Sequence, residues 1–301
     1  MTRSIVEKKA LYASATINLM MAFSGWLAYH FSNSQAILLD GNYSFIAFFV
    51  TLIAIRITLI KTRSTETFPF GQYVYEALFS FGKGLMVIGI LLVALIMSIS
   101  RISHYLNGSP VDVLNTSTVL IYTLVMLAMC VPLALYCRYE NKKINNASMI
   151  LRAEYIGSKT DAIMSFSTGL VLFSIGFIDI EGRFGFLYSI GDAMLVIVLV
   201  LILVKDPIIL ARDSFVEMAG GTLQNKQEKQ KIENILHQCL PINGLKESYI
   251  SKTGSNYFIV AYISTEAIDN IGSKTLEQLK QTTLAVLQQR YQHVMFEIAL
   301  A

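Results

Sequence analysis

Two aspartates in this chain stand where acids are costly: Asp40 in LLDGNYSF and Asp161 in SKTDAIMS, each set among leucine, aromatic and small residues. An Asp, Lys or Arg near the centre of a lipid-embedded helix costs roughly 2.5–3.5 kcal/mol, so such a residue marks an ion or proton pathway. Lys83 and Lys159 belong to the same class, while Glu76, Glu154 and Asp192 fall nearer the ends of their apolar runs, within reach of an interface. By helical spacing Asp40 shares a face with Tyr43, Ser44, Ala47 and Thr51. Asp161 follows Glu154 by seven residues and shares a stripe with Gly157, Ser158, Ser165 and Thr168. Both stripes are small and polar, suited to another helix or a wet cavity rather than to lipid. Two carboxylates from two helices that face one pocket make an oxygen-ligand cation site. The competing expectation is that each aspartate pairs with Lys83 or Lys159 and only ties helices together. Lys83 follows Glu76 by seven residues, between Gly82 and Gly84. Its ammonium would keep nearby carboxylates ionised but repel a divalent cation. It is either a proton-linked switch that leaves when the ion enters or a built-in cation that replaces the ion.

The elements that must position these residues are membrane helices. The chain has 301 residues, of which 54% are hydrophobic and 15% charged, well below the roughly 25% charge of a soluble domain. Runs long enough to cross about 30 Å of hydrocarbon fall at 10–31, 36–60, 73–99, 113–137, 150–177 and 186–210. The expectation is six transmembrane helices in residues 1–212, then a domain of residues 213–301. Arg3, Lys8 and Lys9 at the N-terminus, Arg56, Lys61 and Arg63 after the second run, and Arg138, Lys142, Lys143 and Arg152 after the fourth lie on one side if the helices alternate. Arg101 and Arg183 lie on the other. The positive-inside rule then puts both termini in the cytoplasm. A retained first helix fits the N-terminal text better than a signal peptide.

After Leu210 the text turns polar, and GGTLQNKQEKQ reads as a hinge. KQEKQKIENILHQCL has helical spacing, and LKESYISKTGSNYFIVAYIS reads as two strands around a turn. SKTLEQLKQTTLAVLQQRY reads as a helix and HVMFEIAL as a last strand. That α-β-β-α-β order suits a small α+β domain with its helices on one face of a sheet. A net charge of +3 gives no argument for nucleic acid. The three cysteines, Cys130, Cys137 and Cys239, and the four histidines form no C-x-x-C or paired-His spacing. No nucleophile–base set, phosphate-binding glycine loop or H-E-x-x-H is present, so the chain does not read as an enzyme.

Four stretches together resemble the cation diffusion facilitators. SNSQAILLDGNYS (residues 32–44) is similar to the text SGSLALLADALHS that joins that family's first two helices. FPFGQYVYEAL (68–78) is similar to its YPFGHGKAE-like entrance to the third helix. SKTDAIMSFSTG (158–169) resembles its fifth helix around a metal-binding aspartate. SIGDAMLVIVLVLILVKDPIILARDSFVEM resembles its sixth helix, with Asp192 at the usual acid position. The resemblance implies a six-helix bundle, a ferredoxin-like cytoplasmic domain, a homodimer formed through that domain and the membrane helices, and divalent metal export against protons. Zinc, manganese or another hard ion would be the transported species, with no tightly bound cofactor, and the expected host is a bacterial inner membrane. The implied tetrahedral site takes pairs of ligands spaced by four on the second and fifth helices. With Asp40 as the first acid these are Asp40 and Ser44, then Gly157 and Asp161. A register shifted by three selects Tyr43 and Ala47 instead and leaves Asp40 beside the site.

Only two of those four positions hold a carboxylate, whereas zinc takes four His, Cys or acid ligands. Glu154 swinging toward Asp161, with Asn42, Tyr43 or water, would complete a harder, oxygen-rich shell. The metal-ligand expectation is therefore Asp40, Asp161, Ser44 and Glu154, with Lys83 as a charge partner inside the membrane. The family's loop His and Lys are Gln72 and Val74 here, and RYENKKINNAS holds no histidine. His30 and His104 read as interfacial and His237 as a surface residue, and a metal-sensing cluster around His293 is not expected. The alternative is a non-transporting protein of the same fold, acting as a membrane partner or regulatory subunit.

Overall fold

Among the described residues seven helices precede the polar tail: α1 (Arg3–Ser32), α2 (Gln35–Ile60), α3 (Val74–Leu106), α4 (Thr116–Lys143), α5 (Met149–Ile175), α6 (Phe186–Leu203) and α7 (Lys205–Met218). The structure is a computed structural model that describes residues 3–32, 35–108, 116–175, 186–240, 245–265, 273–291 and 293–300. The connections around NGSP and IEGRFG, with Arg183, lie largely outside the described residues, as does the side chain of Asp192. Two units pack separately: Met1–Ile60 with Phe79–Ala211, and Lys61–Leu78 with Arg212–Ala301.

Four helical stretches are long and apolar enough to cross a membrane: Asp40–Ile60, Val74–Leu106, Leu120–Lys143 and Ala193–Met218. Six spans were expected. α1 and α5 form as helices of 30 and 27 residues and are not among these four; the continuation of the fifth apolar run beyond Ile175 lies outside the described residues.

In the first unit many large apolar side chains face outward. Phe23, Leu27, Phe49, Ile53, Ile96 and Leu201 are exposed, the pattern of helices solvated by hydrocarbon. α1 and α2 approach at a glycine pair: a Cβ added at Gly25 would stand 2.6 Å from the Gly41 Cα. One packed cluster joins α1, α2, α4 and α5 through Met21, Ile37, Tyr122, Met126, Cys130 and Ala162. A second joins α3 to α6 through Val87, Leu91, Val196 and Val200. Gly84 lets α3 lie against α7, since a Cβ there would be 3.2 Å from the Ala211 Cβ.

The second unit contains α8 (Lys226–Cys239), β1 (Leu245–Thr253), β2 (Asn256–Ile263), α9 (Ser273–Arg290) and β3 (Val294–Leu300). β1 and β2 form an antiparallel hairpin with Ser251 opposite Phe258. β3 then pairs parallel to β2, with Phe296 opposite Ile259. A parallel neighbour needs a crossover, and α9 supplies it. Alternate β2 residues Tyr257, Ile259, Ala261 and Ile263 point to a core closed by Ile232 and Leu236 of α8 and Leu287 of α9. Gly254 makes the hairpin turn at φ +57°, and a Cβ there would be 2.5 Å from the Tyr73 carbonyl oxygen. The hinge expected at GGTLQNKQEKQ is instead part of this unit. Thr222 bridges Ser251, Leu223 is buried in the core, and Asn225 caps α8 by accepting from the Gln227 and Glu228 amides. The polar text there serves capping and edge pairing.

Within the same unit Lys61 Nζ lies 3.2 Å from Glu76 Oε2, and Ser255 Oγ donates to that oxygen at 2.8 Å. Lys61 and Glu76 are both fully buried. From sequence Lys61 counts among the basic residues after the second run and Glu76 could reach an interface; the structure pairs them, which is how buried charges are tolerated.

Candidate functional site

A cavity of about 40 Å³ opens among α1, α2, α3 and α5, lined by Asn18 and Met21, by Asp40, Tyr43, Ser44 and Ala47, by Lys83, Met86, Val87 and Ile90, and by Glu154, Gly157, Ser158 and Asp161. A water molecule needs on the order of 10–15 Å³ by the same measure. The space therefore has room for a few water-sized groups. Helical periodicity explains the lining: positions 40, 43, 44 and 47 of α2 form one stripe, and 154, 157, 158 and 161 of α5 form another.

Asp40 and Asp161 come to the same cavity from different helices. Among the described residues neither is part of an ion pair. Asp40 Oδ2 accepts a hydrogen bond from the Tyr122 hydroxyl at 2.6 Å. Asp161 accepts none among the described residues. The expectation that Lys83 or Lys159 neutralises these aspartates is not met. Lys159 Nζ instead reaches Asp206 Oδ2 of α7 at 2.6 Å, in a half-exposed pair.

Lys83 is committed elsewhere. Its Nζ is 3.2 Å from Glu154 Oε1, with both side chains buried. Glu154 is held further by Ser14 Oγ, which donates to Oε2 at 2.7 Å, and more weakly by Thr51 Oγ1, 3.4 Å from Oε1. Thr51 Oγ1 is 2.8 Å from the Ala47 carbonyl and accepts from Asn18 Nδ2 at 3.2 Å. Glu154 therefore lines the cavity as an anchored acid with partners on both oxygens. Gly157 offers no ligand; a Cβ there would be 3.4 Å from Lys83 Cε, so the lysine stem packs over the bare glycine.

Ser44 is buried on the cavity wall, and Tyr43 lines it as well. Asn42 does not: it is exposed and its Oδ1 accepts from Trp26 Nε1 at 3.0 Å, one step off the Asp40 face. Three contributors escaped the sequence reading: Tyr122 on α4, and Ser14 and Asn18 on α1. The spacing of Ser14, Asn18 and Met21 along an apolar helix is a legible signal for α1, but no sequence pattern brings Tyr122 to Asp40. Cys130 and Cys137 are free and buried, and Cys130 Sγ lies 3.3 Å from Met21 Sδ. His30, His104 and His237 are exposed, and His293 packs beside Tyr73. No group of three His, Cys, Asp or Glu residues poised for a metal occurs among the described residues.

Chemically, the cavity presents three carboxylates and one ammonium. The Lys83–Glu154 pair is neutral as a unit, leaving two further acids facing one small space. The hydroxyl and amide groups around them, from Asn18, Tyr43, Ser44 and Ser158, are oxygen donors of the kind hard ions take. Residues 11–219, from α1 to the end of α7, match the family described as the cation efflux transmembrane domain. No curated protein matches the chain.

Proposed function

The chain belongs to the cation efflux family of integral membrane cation transporters, and on that premise we propose that it moves a divalent cation in exchange for protons through a site centred on Asp40 and Asp161. One observation carries the reading: two carboxylates without a basic partner among the described residues line a single cavity between helices. Placing acids there is costly, and a bound cation offsets the cost. Carboxylates must shed protons to bind a metal, so loading and release are linked to proton movement. Ser44 and Ser158 oxygens and water complete the shell. Two carboxylates with neutral oxygens favour manganese, magnesium or another hard ion over zinc.

The reading includes six membrane-crossing helices, with α1 and α5 crossing as polar-lined members of the bundle, and with both termini in the cytoplasm. The second unit serves homodimer formation. Transport rather than catalysis is the family's activity. A second reading, a non-transporting partner protein, is favoured by the ammonium of Lys83 inside the cavity. Flux separates the two. Purified protein in proteoliposomes is given magnesium, manganese, cobalt, zinc or cadmium across an imposed pH gradient. Ion movement that follows the gradient is expected; no movement of any ion favours the partner reading, and flux indifferent to the gradient removes proton exchange.

A further inference from the structure

We propose that Lys83 is the specificity-determining residue of the cation site: a resident cation that withholds Glu154 as a third carboxylate ligand. The proposal rests on the reading of Asp40 and Asp161 as the ion site and concerns which ions that site accepts. Three observations carry it. Lys83 lines the cavity, and both it and Glu154 are buried. Glu154 is held by Lys83 at 3.2 Å on one oxygen and by Ser14 at 2.7 Å on the other, which fixes it away from duty as a ligand. The lysine stem also lies beside Gly157, on the same α5 stripe as Asp161: a Cβ there would meet Lys83 Cε at 3.4 Å, in ordinary van der Waals contact.

The physical consequence is a site of fixed composition. With Glu154 neutralised, an entering ion meets two acids, and oxygen donors without charge must supply the rest. That shell suits an ion that accepts carbonyl, hydroxyl and water ligands and disfavours one that requires several anionic or imidazole ligands at short range. Removing the ammonium frees a third carboxylate one helical turn from Gly157. Removing Glu154 instead frees the ammonium to turn on Asp40 or Asp161 and compete with the ion.

The test is equilibrium binding of Mn²⁺ and Zn²⁺ to full-length protein in detergent, with Lys83→Met, Lys83→Arg, Glu154→Gln and the double variant Lys83→Met/Glu154→Gln, each checked for a single gel-filtration species. The expected order for Zn²⁺ affinity is Lys83→Met tightest, by tenfold or more over the parent, then the parent, Lys83→Arg and the double variant together, then Glu154→Gln weakest by tenfold or more. Mn²⁺ gains less than Zn²⁺ in Lys83→Met. An affinity unchanged in Lys83→Met overturns the proposal. So does a double variant as weak as Glu154→Gln, because that makes Glu154 itself a ligand. If Lys83→Met does not fold, the comparison of Glu154→Gln with the double variant decides alone. Loss of binding in Asp40→Asn is required by the underlying site reading; its absence counts against that reading and not against the role of Lys83.

Discussion

The Tyr122 hydroxyl donates to Asp40 Oδ2 across 2.6 Å, tying α4 to the acid that α2 brings to the cavity. The bond occupies one carboxylate oxygen of Asp40 and fixes the direction the group faces. A hydrogen bond to a charged group is worth about 1.5–3 kcal/mol. Tyr122→Phe therefore weakens cation affinity by about tenfold, with the chain still folded, in a binding titration. An affinity equal to the parent would make Tyr122 a packing residue only.

A glycine pair sets how closely α1 can lie against α2, one residue from Asp40. A Cβ at Gly25 would stand 2.6 Å from the Gly41 Cα, and one at Gly41 would stand 3.2 Å from the Gly25 Cα. The first distance forces the helices apart, while the second asks for a few tenths of an ångström. Gly25→Ala is thus expected to lose most cation flux, and Gly41→Ala to keep a larger share, at equal reconstituted protein. The reverse order would contradict the role given to this contact.

The buried Lys61–Glu76 pair in the second unit invites a stability test. Removing one partner of a buried pair costs about 3–5 kcal/mol, whereas replacing both with apolar groups is often neutral. Lys61→Met should lower the thermal midpoint in detergent clearly, and Lys61→Met/Glu76→Leu should recover much of the loss. A double variant worse than the single would show that Glu76 is needed by Ser255, which donates to the same oxygen at 2.8 Å.

What could be read in the sequence follows from what periodicity encodes. A single helix announces its own faces, so the Asp40–Tyr43–Ser44–Ala47 and Glu154–Gly157–Ser158–Asp161 stripes were both legible, and both line the cavity. Pairings between helices depend on rotation and depth, which one helix's spacing does not carry. For that reason the competing expectation set Lys83 or Lys159 against an aspartate, whereas Lys83 reaches Glu154 and Lys159 reaches Asp206. Asn42 illustrates the same limit at short range: two residues from Asp40, it points to Trp26. The C-terminal α-β-β-α-β order came through because turn and alternation signals are local. The parallel pairing of β3 with β2 and the burial of Lys61 are long-range outcomes, and no local signal announces them.

The central claim is that Asp40 and Asp161 together hold the transported cation, and the most direct measurement is flux through reconstituted Asp40→Asn and Asp161→Asn, which keep size and hydrogen-bonding capacity while removing charge. The account predicts that each variant folds, inserts and loses at least about 90% of divalent cation flux, corresponding to about 1.4 kcal/mol or more, with no further loss in the double variant. Flux in either single variant equal to the parent would contradict it.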